Sequence, residues 1–163
     1  MKISRRDLCQ GLLIAPAFGM AACSRVPEPT PVTVQLFADD NVNPNENGDP
    51  APIVVRVYEL KGMTAFNNGE FFEFADDDTK LLGGDLIGKQ EYELTPGEKK
   101  DYDRSISSEA THIGVVAAFR DIQSAQWRDS IELEAEKKNE FVIYLTSLAV
   151  RIQKLRRRRL GVF

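Results

Sequence analysis

Turn residues break this chain before any apolar segment grows past strand length. Between Val32 and Leu145 about seven such segments recur at 8–15-residue spacing, with Gly, Pro, Asn, Asp or Ser between them. Proline fixes φ and lacks an N–H, while Gly and Asn tolerate positive φ, so these punctuators favour tight turns over continuous helix. Val32-Thr33-Val34-Gln35-Leu36 alternates apolar and polar, which predicts a half-buried first strand. Ile53–Leu60 predicts the second, with Val55 and Val57 on one face and Arg56 and Tyr58 on the other; the pattern does not say which face is inward. Asp85–Leu94 and Lys99–Ile106 flank a Thr95-Pro96-Gly97-Glu98 turn, and the near-continuous apolar run Thr111–Phe119 predicts a central strand buried on both faces. Ala125–Leu133, with Trp127, Ile131 and Leu133 on one face, and Glu140–Leu145 complete an all-β, two-sheet antiparallel sandwich.

One stretch departs from the strand period. Between Lys61 and Leu82 the aromatics Phe66, Phe71, Phe72 and Phe74 gather with Met63, interrupted by Asn67-Asn68-Gly69. Short helical turns at about 63–66, 70–75 and 79–82 are expected there, within an insert of about 61–84 that ends at Gly83-Gly84. Two readings of its aromatics stand: cover for one end of a sheet core, or an exposed docking patch. Asp76-Asp77-Asp78 lacks the Gly and Glu of a calcium loop, so it is expected to be a solvated turn or helix N-cap.

Between the first two strands lies a long polar loop, Asp39–Pro52, containing Asn-Pro, Asn-Gly and further prolines. Asn43, Asn45, Asn47 and Gly48 have the 1-3-5-6 spacing of an EF-hand loop, yet position one is Asn and position twelve falls on Val54, so both charged ligands are missing. No metal is expected.

The N-terminus is built for export. Lys2, Arg5 and Arg6 precede the apolar Leu12–Phe18 and the small residues Gly19, Ala21 and Ala22, which marks residues 1–22 as a signal peptide. Met20-Ala21-Ala22-Cys23 resembles a bacterial lipobox, with Met20 where Leu is usual; the resemblance implies Cys23 as the acylated first residue of the mature protein, the alternative being an ordinary signal peptide cut after Ala22 with Cys23 a free thiol. Ser4-Arg5-Arg6-Asp7-Leu8 leaves both the general and the twin-arginine export routes open. Ser24–Pro31 places proline at every second position from 27 to 31, an extended spacer reaching roughly 25 Å at about 3.1 Å per residue. Residues 23–31 are thus read as lipidated cysteine and spacer, 32–150 as the sandwich domain and 151–163 as a basic tail containing Arg156–Arg159. That tail is either solvated or in contact with anionic headgroups or an acidic partner.

Composition excludes several functions. At 163 residues and 42% apolar content, one globular domain is expected. The overall net charge is −4, and the part after the signal peptide is near −6, which argues against nucleic acid. Cys9 and Cys23 both lie near the N-terminus, so the body holds no disulfide and no Cys/His zinc cluster. His112 is the single histidine and opens the most apolar strand, where a lone His is more often structural than catalytic, and no Gly-rich phosphate loop occurs. Neither catalysis, nor a cofactor beyond acyl chains on Cys23, nor a small-molecule substrate is expected.

Several motifs occur in a fixed order: Cys23 and its spacer, Asn43-Pro44 to Pro52 leading into Val54-Val55-Arg56-Val57-Tyr58-Glu59-Leu60, the Phe-rich insert, Leu94-Thr95-Pro96-Gly97, Val115–Asp121 and Trp127-Arg128. This order resembles the TssJ family of type VI secretion lipoproteins. The resemblance implies a transthyretin-like sandwich with an added helical element, on the periplasmic face of the outer membrane, a location also implied by Ser24 in place of a retaining Asp. It further implies binding to the periplasmic C-terminal domain of the inner-membrane protein TssM through the loop between the first two strands. The residues this assigns to partner binding are Asp39, Asp40, Asn41, Asn43, Pro44, Asn45, Asn47, Gly48, Asp49, Pro50 and Pro52. The contrasting reading is a periplasmic enzyme or ligand binder, such as the transthyretin-like hydroxyisourate hydrolases, which depend on several histidines.

Overall fold

The computed structural model describes residues 27–155, so the signal peptide, Cys9, Cys23 and the Arg156–Arg159 run lie outside the described residues. Described strands are β1 (Thr30–Ala38), β2 (Ile53–Leu60), β3 (Leu86–Leu94), β4 (Lys99–Ile106), β5 (His112–Ala117), β6 (Arg128–Glu132), β7 (Asn139–Leu145) and β8 (Val150–Lys154). They form two four-stranded sheets, ordered β4-β1-β7-β8 and β3-β2-β5-β6. The expected two-sheet sandwich is present, with one difference from an all-antiparallel arrangement: β1 pairs with β7 in parallel, Val32 opposite Asn139 through Ala38 opposite Leu145.

Alternation along β1 sends Val32, Val34 and Leu36 into the space between the sheets, where they meet Val55, Val57, Ile113, Val115, Phe141 and Ile143. β2 and β5 are central strands of the second sheet and are buried on both faces. That resolves the two faces of β2: its odd residues Val55 and Val57 face the other sheet, while Tyr58 and Leu60 face a helical layer. Helices α1 (Thr64–Asn68) and α2 (Phe71–Leu82) supply that layer, burying Phe66, Phe74 and Leu82 against Tyr58, Leu60 and Val116. The insert aromatics therefore cover a sheet face rather than a sheet end, and Phe72 alone among them is largely exposed, at 71%. The approach is close at Gly114, where an added Cβ would lie 2.6 Å from a ring atom of Phe66.

Helix α2 is set by local chemistry at both ends and in its middle. Glu70 and Glu73 form a reciprocal capping box at its start, and Gly83, at φ 50°, ends it. Asp77 leaves helical geometry (φ −151°, ψ 82°), so the predicted break between 75 and 79 lies inside one element, with the Asp77 carboxylate accepting the Lys80 N–H at 2.9 Å. The neighbouring Asp78 differs from the expected solvated turn. It is buried, accepts the Tyr58 hydroxyl at 2.8 Å and the Lys89 ammonium at 2.8 and 3.0 Å, and lies 3.8 Å from the Arg56 guanidinium. Its side chain lies on the face of α2 that also buries Phe74 and Leu82 against the sheet.

The two ends of the domain also differ from the sequence expectation. Thr30 and Pro31 belong to β1, opposite Ile106 and Ser105. The first residues read as basic tail instead form β8, with Ile152 buried and facing Ile143. Alternate inward burial overrides the charge of Arg151 and Lys154.

Candidate functional site

Four connections converge at one end of the sandwich: residues 39–52 after β1, 95–98 after β3, 118–127 after β5 and 146–149 after β7. Hydrogen bonds tie them together, from Asp39 N–H to the Leu145 carbonyl (2.8 Å), Ala38 N–H to Glu98 (2.9 Å), Ala118 N–H to Val54 (2.9 Å) and Gln126 N–H to Leu148 (2.8 Å). Loop 39–52 thereby sits on a scaffold drawn from both sheets.

Its interior explains its asparagines. Val42 and Ala51 are buried and joined by a 3.1 Å backbone bond, which closes the neck of the loop. Asn43, 3% exposed, adopts a left-handed φ of 49°; its amide donates to the Pro52 carbonyl at 2.7 Å and its side-chain oxygen accepts the Arg120 N–H at 2.8 Å. Asn tolerates that backbone and carries both a donor and an acceptor. Asn45 organises the tip, since its side-chain oxygen accepts the N–H groups of Asn47 and Asp49, each at 2.9 Å. Its amide reaches the Asp49 carboxylate at 3.2 Å, and Gly48, at φ 85°, makes the turn. The spacing that resembled a calcium loop is a self-braced turn.

Of the residues assigned to partner contact, the structure exposes Asp40, Asn41, Asn47, Gly48, Asp49, Pro50 and Pro52, and half-buries Asp39, Pro44 and Asn45. Asn43 is the exception: its burial leaves it a positioning role. Asp39 accepts the Asp40 N–H at 2.8 Å, and the neighbouring turn depends on glycine because Gly97 adopts a φ of 77°. Sequence reasoning missed the opposite wall. A cleft of about 710 Å³ lies between Pro44, Asn45, Glu46 and Asn47 on one side and Arg120, Asp121 and Leu148 on the other. Arg120-Asp121 was visible only as the end of a strand motif, and Leu148 carried no signal.

Chemically, this end presents carboxylates, amides, one guanidinium and an exposed stiff backbone. Such groups recognise another protein surface through hydrogen bonds and charge. His112 is half-buried at the start of β5, at the opposite end of that strand, with its ring 2.9 Å from the Thr111 hydroxyl.

A family profile described as type VI secretion lipoprotein, VasD, EvfM, TssJ matches residues 30–148. The chain belongs to the TssJ family. Its fold is shared with the type VI secretion lipoprotein TssJ1 of Pseudomonas aeruginosa, at 35% identity and a TM-score of 0.76 over 80% of this chain and 99% of that one. Serratia marcescens Lip, a membrane-bound component of the type VI secretion system, is 26% identical with a TM-score of 0.71 over 81% and 100% of the two chains. A chain in the structure of the TssM C-terminal domain from EAEC shares the fold, at 24% identity and a TM-score of 0.59 over 77% of this chain and 98% of that one. No curated protein sequence matches the chain.

In this TssJ-family domain β1 connects the two ends directly. It starts at Thr30, where the N-terminal segment enters, and its nine residues deliver the chain to the loop at Asp39. At about 3.3 Å per residue that separation is roughly 30 Å.

Proposed function

We propose that this TssJ-family chain is anchored through acyl chains on Cys23 at the periplasmic face of the outer membrane and tethers the periplasmic C-terminal domain of TssM. Loop 39–52, with the cleft beside it, is the contact surface. The observation that carries this reading is the polarity of β1: the segment bearing Cys23 enters one end of the sandwich, and the loop stands at the other. A protein that bridges two partners needs its attachment points at opposite ends, and the neck bonds of Asn43 and Ala51 pre-organise the loop, which lowers the ordering cost of binding. The partner's identity rests on the family resemblance, supported by the occurrence of the same fold in a structure of the TssM C-terminal domain.

The test replaces the exposed tip Glu46–Asp49 with an equal-length Gly-Ser sequence, leaving Asn43 and Asn45 in place. Calorimetry against the TssM periplasmic fragment is expected to show affinity reduced by about tenfold or more, the loss of roughly 1.4 kcal/mol. Unchanged affinity would overturn the assigned surface.

A further inference from the structure

The two sheets differ in what lies on their outer faces. Helices α1 and α2 pack on the outside of β3-β2-β5-β6, whereas Gln35, Tyr144 and Arg151 on the outside of β4-β1-β7-β8 are exposed. Strand register places Lys99 opposite Phe37, Phe37 opposite Tyr144 and Tyr144 opposite Arg151, one residue from each of the four strands. This row points outward, because the residues beside it in sequence, Leu36, Ala38, Leu145 and Ile152, fill the core. It reads cation, ring, ring, cation. Phe37 and Tyr144 meet edge to face with centroids 6.0 Å apart, and the Lys99 ammonium lies 4.9 Å from the Phe37 ring centre. Tyr144 is 40% exposed, and a depression of about 380 Å³ is bounded by Phe37, Lys99, Val142, Tyr144 and Leu155.

The positive charge of this row is not neutralised within the domain. Arg56, Lys61, Lys89 and Lys100 pair with carboxylates, whereas neither Lys99 nor Arg151 has an ion pair among the described residues. The next outward row, Asp101-Gln35-Val142-Gln153, contains no cation. The charged row also adjoins loop 39–52: Phe37 lies two residues before Asp39, and Leu145, next to Tyr144, accepts the Asp39 N–H at 2.8 Å. A standard protein–protein interface engages about 20–30 residues a side. Loop 39–52 has fourteen, with Val42, Asn43 and Ala51 buried, and the cleft wall adds Arg120, Asp121 and Leu148. A partner seated on the loop therefore reaches onto a neighbouring face.

We infer that the row Lys99-Phe37-Tyr144-Arg151 is a second contact for the partner held by loop 39–52, taking an acidic segment of it whose carboxylates pair with the two cations and whose apolar side chains rest on the two rings. The inference rests on the tethering reading above. Neighbouring strands lie about 4.8 Å apart, so the backbones of Lys99 and Arg151 are separated by roughly 14 Å, which about four residues of extended chain cover. Charge sets the selectivity, since a basic segment meets both cations with like charge.

The test uses residues 23–163 with Cys23→Ser, so that no acyl chain contributes, and calorimetry against the TssM periplasmic fragment. Two variants of this parent are compared with it: Lys99→Glu combined with Arg151→Glu, and Tyr144→Ala. Each is expected to bind about tenfold more weakly, and the charge reversal to flatten the fall of affinity with salt. Tyr144 packs on Phe37, so if Tyr144→Ala lowers the urea midpoint, the charge reversal at two exposed residues decides the matter. Full affinity of the charge-reversed variant, while replacement of Glu46–Asp49 weakens binding, would overturn this inference and leave the loop assignment standing. Absence of binding by the parent would overturn both. Sedimentation velocity separates the partner from a second copy of the chain. The parent is expected to be monomeric; a dimer that the charge reversal dissolves with TssM binding intact would assign the face to self-association instead.

Discussion

Asp78 shows how a single side chain holds the helical layer on the sheet. Burial opposes its ionisation, but hydrogen bonds from Lys89 and Tyr58 and the nearby charge of Arg56 outweigh that, holding its carboxyl below the ordinary value. Burial, reinforced by the bond to Asp78, pushes the Tyr58 phenol far above its ordinary range, so Tyr58 remains a donor at physiological pH. A depressed carboxyl pKa in the folded state stabilises fully above the unfolded value, about 3.9, and this contribution fades as pH falls through the lower folded value. Asp78→Ala leaves the buried Tyr58 hydroxyl without its acceptor, while the partly exposed Lys89 can turn to water, and is expected to cost about 1–3 kcal/mol in urea unfolding at neutral pH. Its stability should also fall less steeply than that of the unaltered chain below about pH 4. At this scale the sequence was least legible. Asp78 and Asn43 are polar residues in punctuated segments, which normally face water; the left-handed φ of Asn43 leaves no periodic trace, whereas Asp78 falls at the four-residue spacing of the buried Phe74 and Leu82 and was masked by its charge.

Elements were far more readable, because their burial follows from repeat distance. β1 and β5 lie where alternation and apolar run length put them, while β2 defeated an inward-face assignment for a physical reason: both of its faces are buried, against different layers. β8 was hidden by its charge, since Val150 and Ile152 are the only inward residues in a segment otherwise dominated by Arg, Gln and Lys. Loop 39–52 was recognised as an element, but its opposite wall at Arg120 and Leu148 comes from connections distant in sequence and could not be read locally. The packing of α1 on β5 gives a test at this scale. Gly114→Ala would place a methyl 2.6–2.8 Å from Phe66 and Leu60 carbons, both side chains being buried and unable to retreat. The overpacking is expected to cost about 1–3 kcal/mol, read as a lower denaturant midpoint with unchanged m-value.

For the whole molecule, the proposed function puts attachment and recognition at opposite ends of β1. On the proposed function, Cys23→Ser is expected to release the protein from outer-membrane fractions into the soluble periplasm while binding of the TssM fragment persists, because the core built by the described residues runs from Val32 to Ile152. Retention of the variant in outer membranes by fractionation would refute the anchor. β1 joins the two ends physically. It lies between β4 and β7 as an interior strand, hydrogen-bonded along both edges. A pull between the N-terminal segment and loop 39–52 acts along the axis of β1, so it shears both ladders at once instead of peeling bonds one by one. If the proposed tether holds, the sandwich is oriented as a mechanical clamp, strong in the direction along which its two attachment points would load it.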